Sequence, residues 1–298
     1  MPSLKELRGR IAGVKSTRKI TSAMKMVAAS KLRRAQNQAE AARPYAETMR
    51  RMMSELAAAS QGMDPSTLPP LLAGTGRDNV HLLVILTSDR GLAGGFNANM
   101  IRTARQKIEE LRAQGRTVRL LPVGRKGAEI FKRYYSDMVV DSLHNKSGTQ
   151  QDAYALAQDL AKRVADLVEN GEVDVCTLLR SRFVNAMTQV PQAIGLVPLP
   201  TAEDGKAGHG RTDGAVYEFE PNEGHLLAQL LPRNLLVQFY AAVLESAAGE
   251  QGARMTAMDN ASRNASKAIE RLSLRYNRTR QANITNELIE IISGAEAV

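Results

Sequence analysis

LKELRGRIAGVKSTRKITSAMKMVAASK, residues 4–31, places Leu4, Leu7, Ile11 and Val14 at spacings of three, four and three, a coiled-coil seam. Ile20, Met24 and Val27 follow only after a jump of six, with Lys15-Ser16-Thr17-Arg18-Lys19 in the gap. A seam that drifts in this way departs from a strict left-handed supercoil. Ser3, with Glu6 three residues on and Pro2 before it, reads as the N-cap. Working outward, residues 3–58 read as nearly unbroken helix, with Pro44 expected to kink or restart it. Residues 223–293 read the same way; there Met258, Ala261, Ala265, Ala268 and Leu272 form a small-residue seam, continued by Ile284, Leu288 and Ile291. Pro232 interrupts this helix early.

At ~1.5 Å per residue these helices are rods of roughly 85 and 105 Å. A compact body of this chain length is only about 40 Å across. The expectation is two rods that project from a body and pair with each other, since long helices need packing partners.

The charge supports a special role for the first rod. The chain has 298 residues and a net charge of +9. Residues 1–58 hold 13 Lys/Arg against 4 Asp/Glu, and the other 240 residues hold 27 of each. The basicity belongs to one helix rather than to the fold. An acidic protein partner is favoured over nucleic acid, because no helix-turn-helix, finger or aromatic RNA platform accompanies the charge. Arg271, Arg275 and Arg278 share a face of the far helix, and Arg280 follows them.

With 12 Met, 5 Phe and no Trp, the chain suits helix packing more than a bulky aromatic core. Its one cysteine, Cys176, allows no internal disulfide, suggests a reducing compartment and sits in an apolar run as buried filler. No apolar stretch reaches the length of a membrane span.

Between the rods the period changes. Residues 59–78 are a linker. Val80–Thr87, Thr117–Val123, a short Met138–Val140, Val173–Arg182 and Val184–Val190 read as strands. Helices are expected near 97–114, 125–134 and 151–170, the last ending on Asn170-Gly171. The alternation implies an α/β layer with a partly parallel sheet over 77–200. Residues 201–215, with four glycines, read as a surface loop, giving a 201–220 return segment before a helix over 221–298.

Few signals carry chemistry. Gly91-Leu92-Ala93-Gly94-Gly95 lies between a strand and a helix, where a phosphate loop would be, but matches neither phosphate-loop pattern and reads as a tight turn. Gly124-Arg125-Lys126-Gly127 reads as a basic helix start. His81, His144, His209 and His225 have no metal-ligand spacing. No catalytic constellation is found, and no cofactor is expected.

Three segments together resemble the gamma subunit of the F-type ATP synthase: Leu4–Ile11 running into Thr17–Lys31, Thr87–Asn97, and Ile284–Ala295. Glu250–Met258 resembles a fourth family segment. Ala93 stands where the family often has Cys, Gly249 and Gly252 stand where it has small or polar residues, and the chloroplast redox insertion is missing. The resemblance implies an α/β fold plus a long antiparallel coiled coil, the terminal helices pairing around a central Rossmann-like domain. It implies a non-catalytic, rotating central stalk that couples proton flow to conformational change in the catalytic beta subunits. The implied partners are the alpha and beta subunits, epsilon and the membrane ring of c subunits, with no nucleic acid and no direct membrane insertion. The implied contact residues are Met24, Lys25, Arg254, Arg280, Gln281, Thr285 and Glu287. The chain starts at the capped helix without a transit peptide, which favours a bacterial protein, peripheral on the cytoplasmic face of the inner membrane. The rival readings are a basic coiled-coil nucleic-acid binder and a nucleotide-dependent enzyme on residues 77–200.

Overall fold

The computed structural model describes residues 3–59, 68–145, 149–200 and 223–296. The expected 201–215 loop, His209 and much of the 59–78 linker lie outside the described residues. In chain order the elements are α1 (Leu4–Ala59), α2 (Pro70–Ala73), β1 (Val80–Leu86), α3 (Phe96–Ala113), β2 (Thr117–Val123), α4 (Arg125–Tyr134), α5 (Gln150–Glu169), β3 (Val175–Phe183), β4 (Gln189–Val197) and α6 (Glu223–Glu296). The chain divides into two compact units: Met1–Ser30 with Arg254–Val298, and Lys31–Ala253.

In the larger unit the sheet order is β2-β1-β3-β4, with β1 parallel to both neighbours and β4 antiparallel to β3. Alternate residues of each strand face opposite layers, as the period of two requires. Leu83, Ile85, Leu120 and Leu179 pack with Met100, Ile108 and Phe131 of α3 and α4. Leu82, Val84, Leu121 and Leu178 pack with α5 and with Met49, Met53, Leu235 and Phe239 of the two long helices. The sheet is therefore buried on both faces, which is why β1 reads as a nearly continuous apolar run.

Two strand expectations are corrected. Met138–Val140 is not a strand: it makes only a single bridge, Leu120 with Val139, and Leu143 bridges Val123 beyond it. The final strand begins at Gln189 rather than Val184, because Asn185 turns the chain first. Its side-chain oxygen accepts from the Met187 and Thr188 N–H groups at 2.9 and 2.8 Å, leaving Val184 and Met187 exposed.

Two expectations of a break in a helix are also corrected. Pro44 lies inside α1, which neither ends nor restarts there. Burial of Ala46, Met49, Met53 and Leu56 immediately beyond it offsets the one backbone hydrogen bond a proline removes. Pro232 likewise lies inside α6, with Leu231 and Leu235 buried on either side. The drifting seam is corrected as well. Between Val14 and Lys31 the buried residues are Thr21 and Ala28, while Ile20 and Val27 are exposed. The spacing of three and four runs on through polar and small residues that apolar counting passes over.

Candidate partner interface

The smaller unit is built on two polar contacts. Arg8 donates from Nη2 to the Tyr276 hydroxyl at 2.8 Å, and its guanidinium lies 5.8 Å from that ring's centre. Lys25 Nζ donates to Asp259 Oδ1 at 2.6 Å. As α1 advances from Arg8 to Lys25, α6 retreats by the same number of residues, from Tyr276 to Asp259. The two segments are antiparallel and do not slip in register. Leu7, Thr21, Ala28, Met258 and Ala265 are buried within the unit, so the seam is made largely of small residues and the helices approach closely.

Ser3 caps α1, its hydroxyl accepting from the Glu6 N–H at 3.2 Å. By the register above, α6 passes the level of Ser3 at about Gln281. Every described side chain from there to Ser293 is exposed, including Ile284, Leu288, Ile289, Ile291 and Ile292. These residues continue an apolar stripe that has nothing to cover it within the unit. A single exposed apolar side chain needs no explanation, but five within about two and a half turns form a contact surface.

Met24, Lys25 and Arg254 belong to the paired part; Met24 is half-buried and Arg254 is buried. Arg280, Gln281, Thr285 and Glu287 lie on the bare end and are exposed. Thr285 Oγ1 donates to the Gln281 carbonyl at 3.0 Å, an ordinary bond within the helix. The structure thus divides the seven residues into two groups rather than bringing them together. Asp259, Tyr276 and Arg8, which set the register, were missed by the sequence reading. A signal existed: Asp259 is the one carboxylate between Arg254 and Ile269, and Tyr276 the one aromatic residue from Arg254 onward. Hydrogen bonding from Lys25, with Arg263 adding to it, holds the Asp259 carboxyl below its ordinary range.

The surface of this unit is strongly basic. Its two segments hold 14 Lys/Arg against 6 Asp/Glu. Lys15, Arg18, Lys19, Arg271, Arg275 and Arg278 are all exposed or half-exposed. Ile20, Met26 and Val27 stand exposed among them, at 57, 65 and 55%. Apolar side chains set between cations suit a partner that presents acidic and apolar groups together.

The glycine segments of the larger unit have a different use. Helix α4 points its first N–H groups at the loop after β1. Asp89 Oδ1 accepts from Arg125 at 3.0 Å, the Ser88 carbonyl from Lys126 at 3.1 Å, and Thr87 Oγ1 from Gly127 at 3.0 Å. The donors that would hold a phosphate are already occupied by the protein. Ser88 and Asn97 tie the Gly91–Gly95 turn across its base, Ser88 N–H donating to Asn97 Oδ1 at 3.0 Å. Cys176 is buried, and burial pushes its thiol up to about 12, as suits a filler.

The ATP synthase family pattern matches residues 3–298. The ATP synthase gamma chain of Gluconobacter oxydans (strain 621H) is 66% identical over 298 residues, the whole of both chains. The chain belongs to the ATP synthase gamma-chain family. The gamma chain of Gluconacetobacter diazotrophicus is 61% identical over the same length, again covering both chains fully. Among solved structures, a chain of the Tetrahymena thermophila mitochondrial ATP synthase central stalk and c-ring is 28% identical with a TM-score of 0.60, covering 82% of this chain and 99% of that one. A chain of the Euglena gracilis mitochondrial ATP synthase shares the fold at 20% identity and a TM-score of 0.65, covering 99% of this chain and 94% of that one. As a gamma chain, the protein is a central-stalk subunit of a rotary ATP synthase and not its catalytic subunit. Among the described residues no helix is long and apolar enough to cross a membrane.

Proposed function

We propose that the paired terminal helices are the turning shaft of a bacterial ATP synthase, and that the bare end of α6 stands inside the ring of alpha and beta subunits. The observation that carries this is the exposed stripe Ile284–Ile292 beyond the reach of α1. An apolar collar would cover it without interlocking, so that the shaft can turn; deep jigsaw packing would hold one angle. Met24, Lys25, Arg254, Arg280, Gln281, Thr285 and Glu287 are the contact residues of this reading. Met24, Lys25 and Arg254 lie in the paired stretch, where charge can form and break angle-dependent contacts with beta subunits. Arg280, Gln281, Thr285 and Glu287 enter the collar. Torque in this scheme is a coupling between shaft angle and nucleotide affinity. Moving a site from 1:99 to 99:1 takes about 5.5 kcal/mol of differential contact, within reach of several ion pairs acting together. Epsilon and the c-ring bind residues of the 77–200 domain, and the complex sits on the cytoplasmic face of the membrane.

The test is to assemble the chain with its alpha and beta subunits, attach a bead through Gln106→Cys on the exposed side of α3, and add ATP. With Cys176 buried, the introduced thiol is this chain's one accessible cysteine, and it is labelled before assembly with the other subunits. Continuous rotation of the bead supports the reading. A chain that co-purifies with no alpha and beta subunits, or a complex that hydrolyses ATP with a static bead, overturns it.

A further inference from the structure

Three tyrosines and one arginine, none of them among the seven contact residues proposed above, line a groove of the larger unit. It lies among α1, α5 and α6 and has a volume of about 490 Å³, inside the ~300–1,000 Å³ range of small-molecule sites. The Tyr154 and Tyr240 rings meet edge to face, with centroids 5.6 Å apart and planes at 80°. The Tyr240 hydroxyl accepts from Gln150 Nε2 at 3.0 Å, and Gln150 Oε1 accepts from Gln38 Nε2 at 3.4 Å. The Tyr240 ring is therefore tethered through its hydroxyl, and Tyr154 packs edge to face against it. Tyr45 and Tyr154 are 50 and 44% exposed, and Ala42, Leu236, Val237 and Ala241 complete the apolar lining. Rings gathered around open space forgo the packing they would have in a core.

Arg233 is the one charged residue of this lining. It is exposed and makes no hydrogen bond or ion pair among the described residues. An unpaired guanidinium at the mouth of an aromatic cleft selects an anion with an apolar body. We propose that the groove binds an amphiphilic organic anion, its planar aromatic part lying against Tyr154 and Tyr240 and its sulfonate, carboxylate or phosphate group on Arg233. The proposal stands independently of the shaft reading.

The test uses the full chain and two fluorescent probes of nearly equal shape, 8-anilinonaphthalene-1-sulfonate and the uncharged N-phenyl-1-naphthylamine. The sulfonate is expected to fill one saturable site about tenfold more tightly than the neutral probe. Arg233→Gln should bring the sulfonate down to the neutral probe's affinity and leave the neutral probe unchanged. Ala241→Phe should fill the groove and remove both. A chain lacking residues 281–298 should keep the site, which separates it from dye bound on the bare helix end. Equal affinities for the two probes, or an Arg233→Gln variant that binds the sulfonate as before, overturn the proposal even where Ala241→Phe disturbs folding. Loss of the site in the assembled complex overturns it too, since the groove would then be the seat of a neighbouring subunit.

Discussion

Single residues differ greatly in what they hold. Asp174 is buried and accepts from Thr75 Oγ1, from Arg77 Nε at 3.2 Å, and from the Asn79 and Val80 N–H groups at 3.1 and 3.0 Å. Burial works to raise its pKa, but the bonds from Thr75, Val80 and Asn79 and the charge of Arg77 outweigh it, leaving the group below its ordinary 3.8. Asp174→Ala strands the two backbone donors at the start of β1 and should cost about 2–4 kcal/mol in urea unfolding. A pKa lowered on folding gives stability that is present above the unfolded value and lost as pH falls through the folded one. Asp259 acts in the same direction on the smaller unit. In Asp259→Asn, melting temperatures followed by circular dichroism from pH 7 to pH 3 should fall less steeply than in the parent chain.

Gly124 makes a sharper case. Its φ is +95°, and an added Cβ would stand 2.2 Å from the Thr87 carbonyl oxygen. Gly124→Ala should cost at least about 3 kcal/mol. Gly91→Ala, in the glycine turn, meets nothing within 4 Å and should stay within about 0.5 kcal/mol. The two urea midpoints compare them directly. Both glycines stood out in the sequence, but only the fold separates the one that needs its missing Cβ, because the obstacle comes from a residue 37 positions away.

At the scale of elements, local signals read well where they were self-contained. Helix α4 over 125–134, strand β2 over 117–123 and the Asn170-Gly171 stop of α5 all stand where composition and turn residues put them. Gly171 closes that helix with φ +68°. The reading failed where a segment's state depended on neighbours. Val184–Val190 has strand composition, but Asn185 captures the turn. Met138–Val140 has it too, yet pairs at one point only. The seam of α1 looks broken in the sequence because Thr21 and Ala28 are weak apolar signals. They are buried by α6, not by their own hydrophobicity. The bare end of α6 yields a further expectation. Since none of its described side chains from Gln281 to Ser293 is buried, deleting residues 281–298 should change the urea stability of the isolated chain by no more than about 0.5 kcal/mol. The same deletion should impair assembly with alpha and beta subunits in co-purification.

The whole molecule divides into a unit with a two-faced core and a unit that is little more than two helices. A helix pair with a small-residue seam buries far less apolar surface than the sheet and its covering helices. Unfolding should therefore depart from two-state behaviour. Hydrogen exchange should show it: β1 amides protected longest, the Gln281–Ser293 amides exchanged first, and the paired stretch in between. A single cooperative unit with uniform protection would contradict this. The basic charge belongs with the helix pair at this scale, since the larger unit is nearly neutral.

Periodicity, capping residues and the placement of charge were enough to reveal two long helices, an α/β body between them and a basic surface, because each is set within a few turns of chain. The family was legible for the same reason, its motifs being contiguous. The antiparallel register, the division of Met24, Lys25 and Arg254 from Arg280, Gln281, Thr285 and Glu287, and the exposure of the last turns emerged only once α1 and α6 were side by side. Those features are differences in where two distant segments end. No local pattern encodes them, because they arise from contacts such as Arg8 with Tyr276 that join opposite ends of the chain.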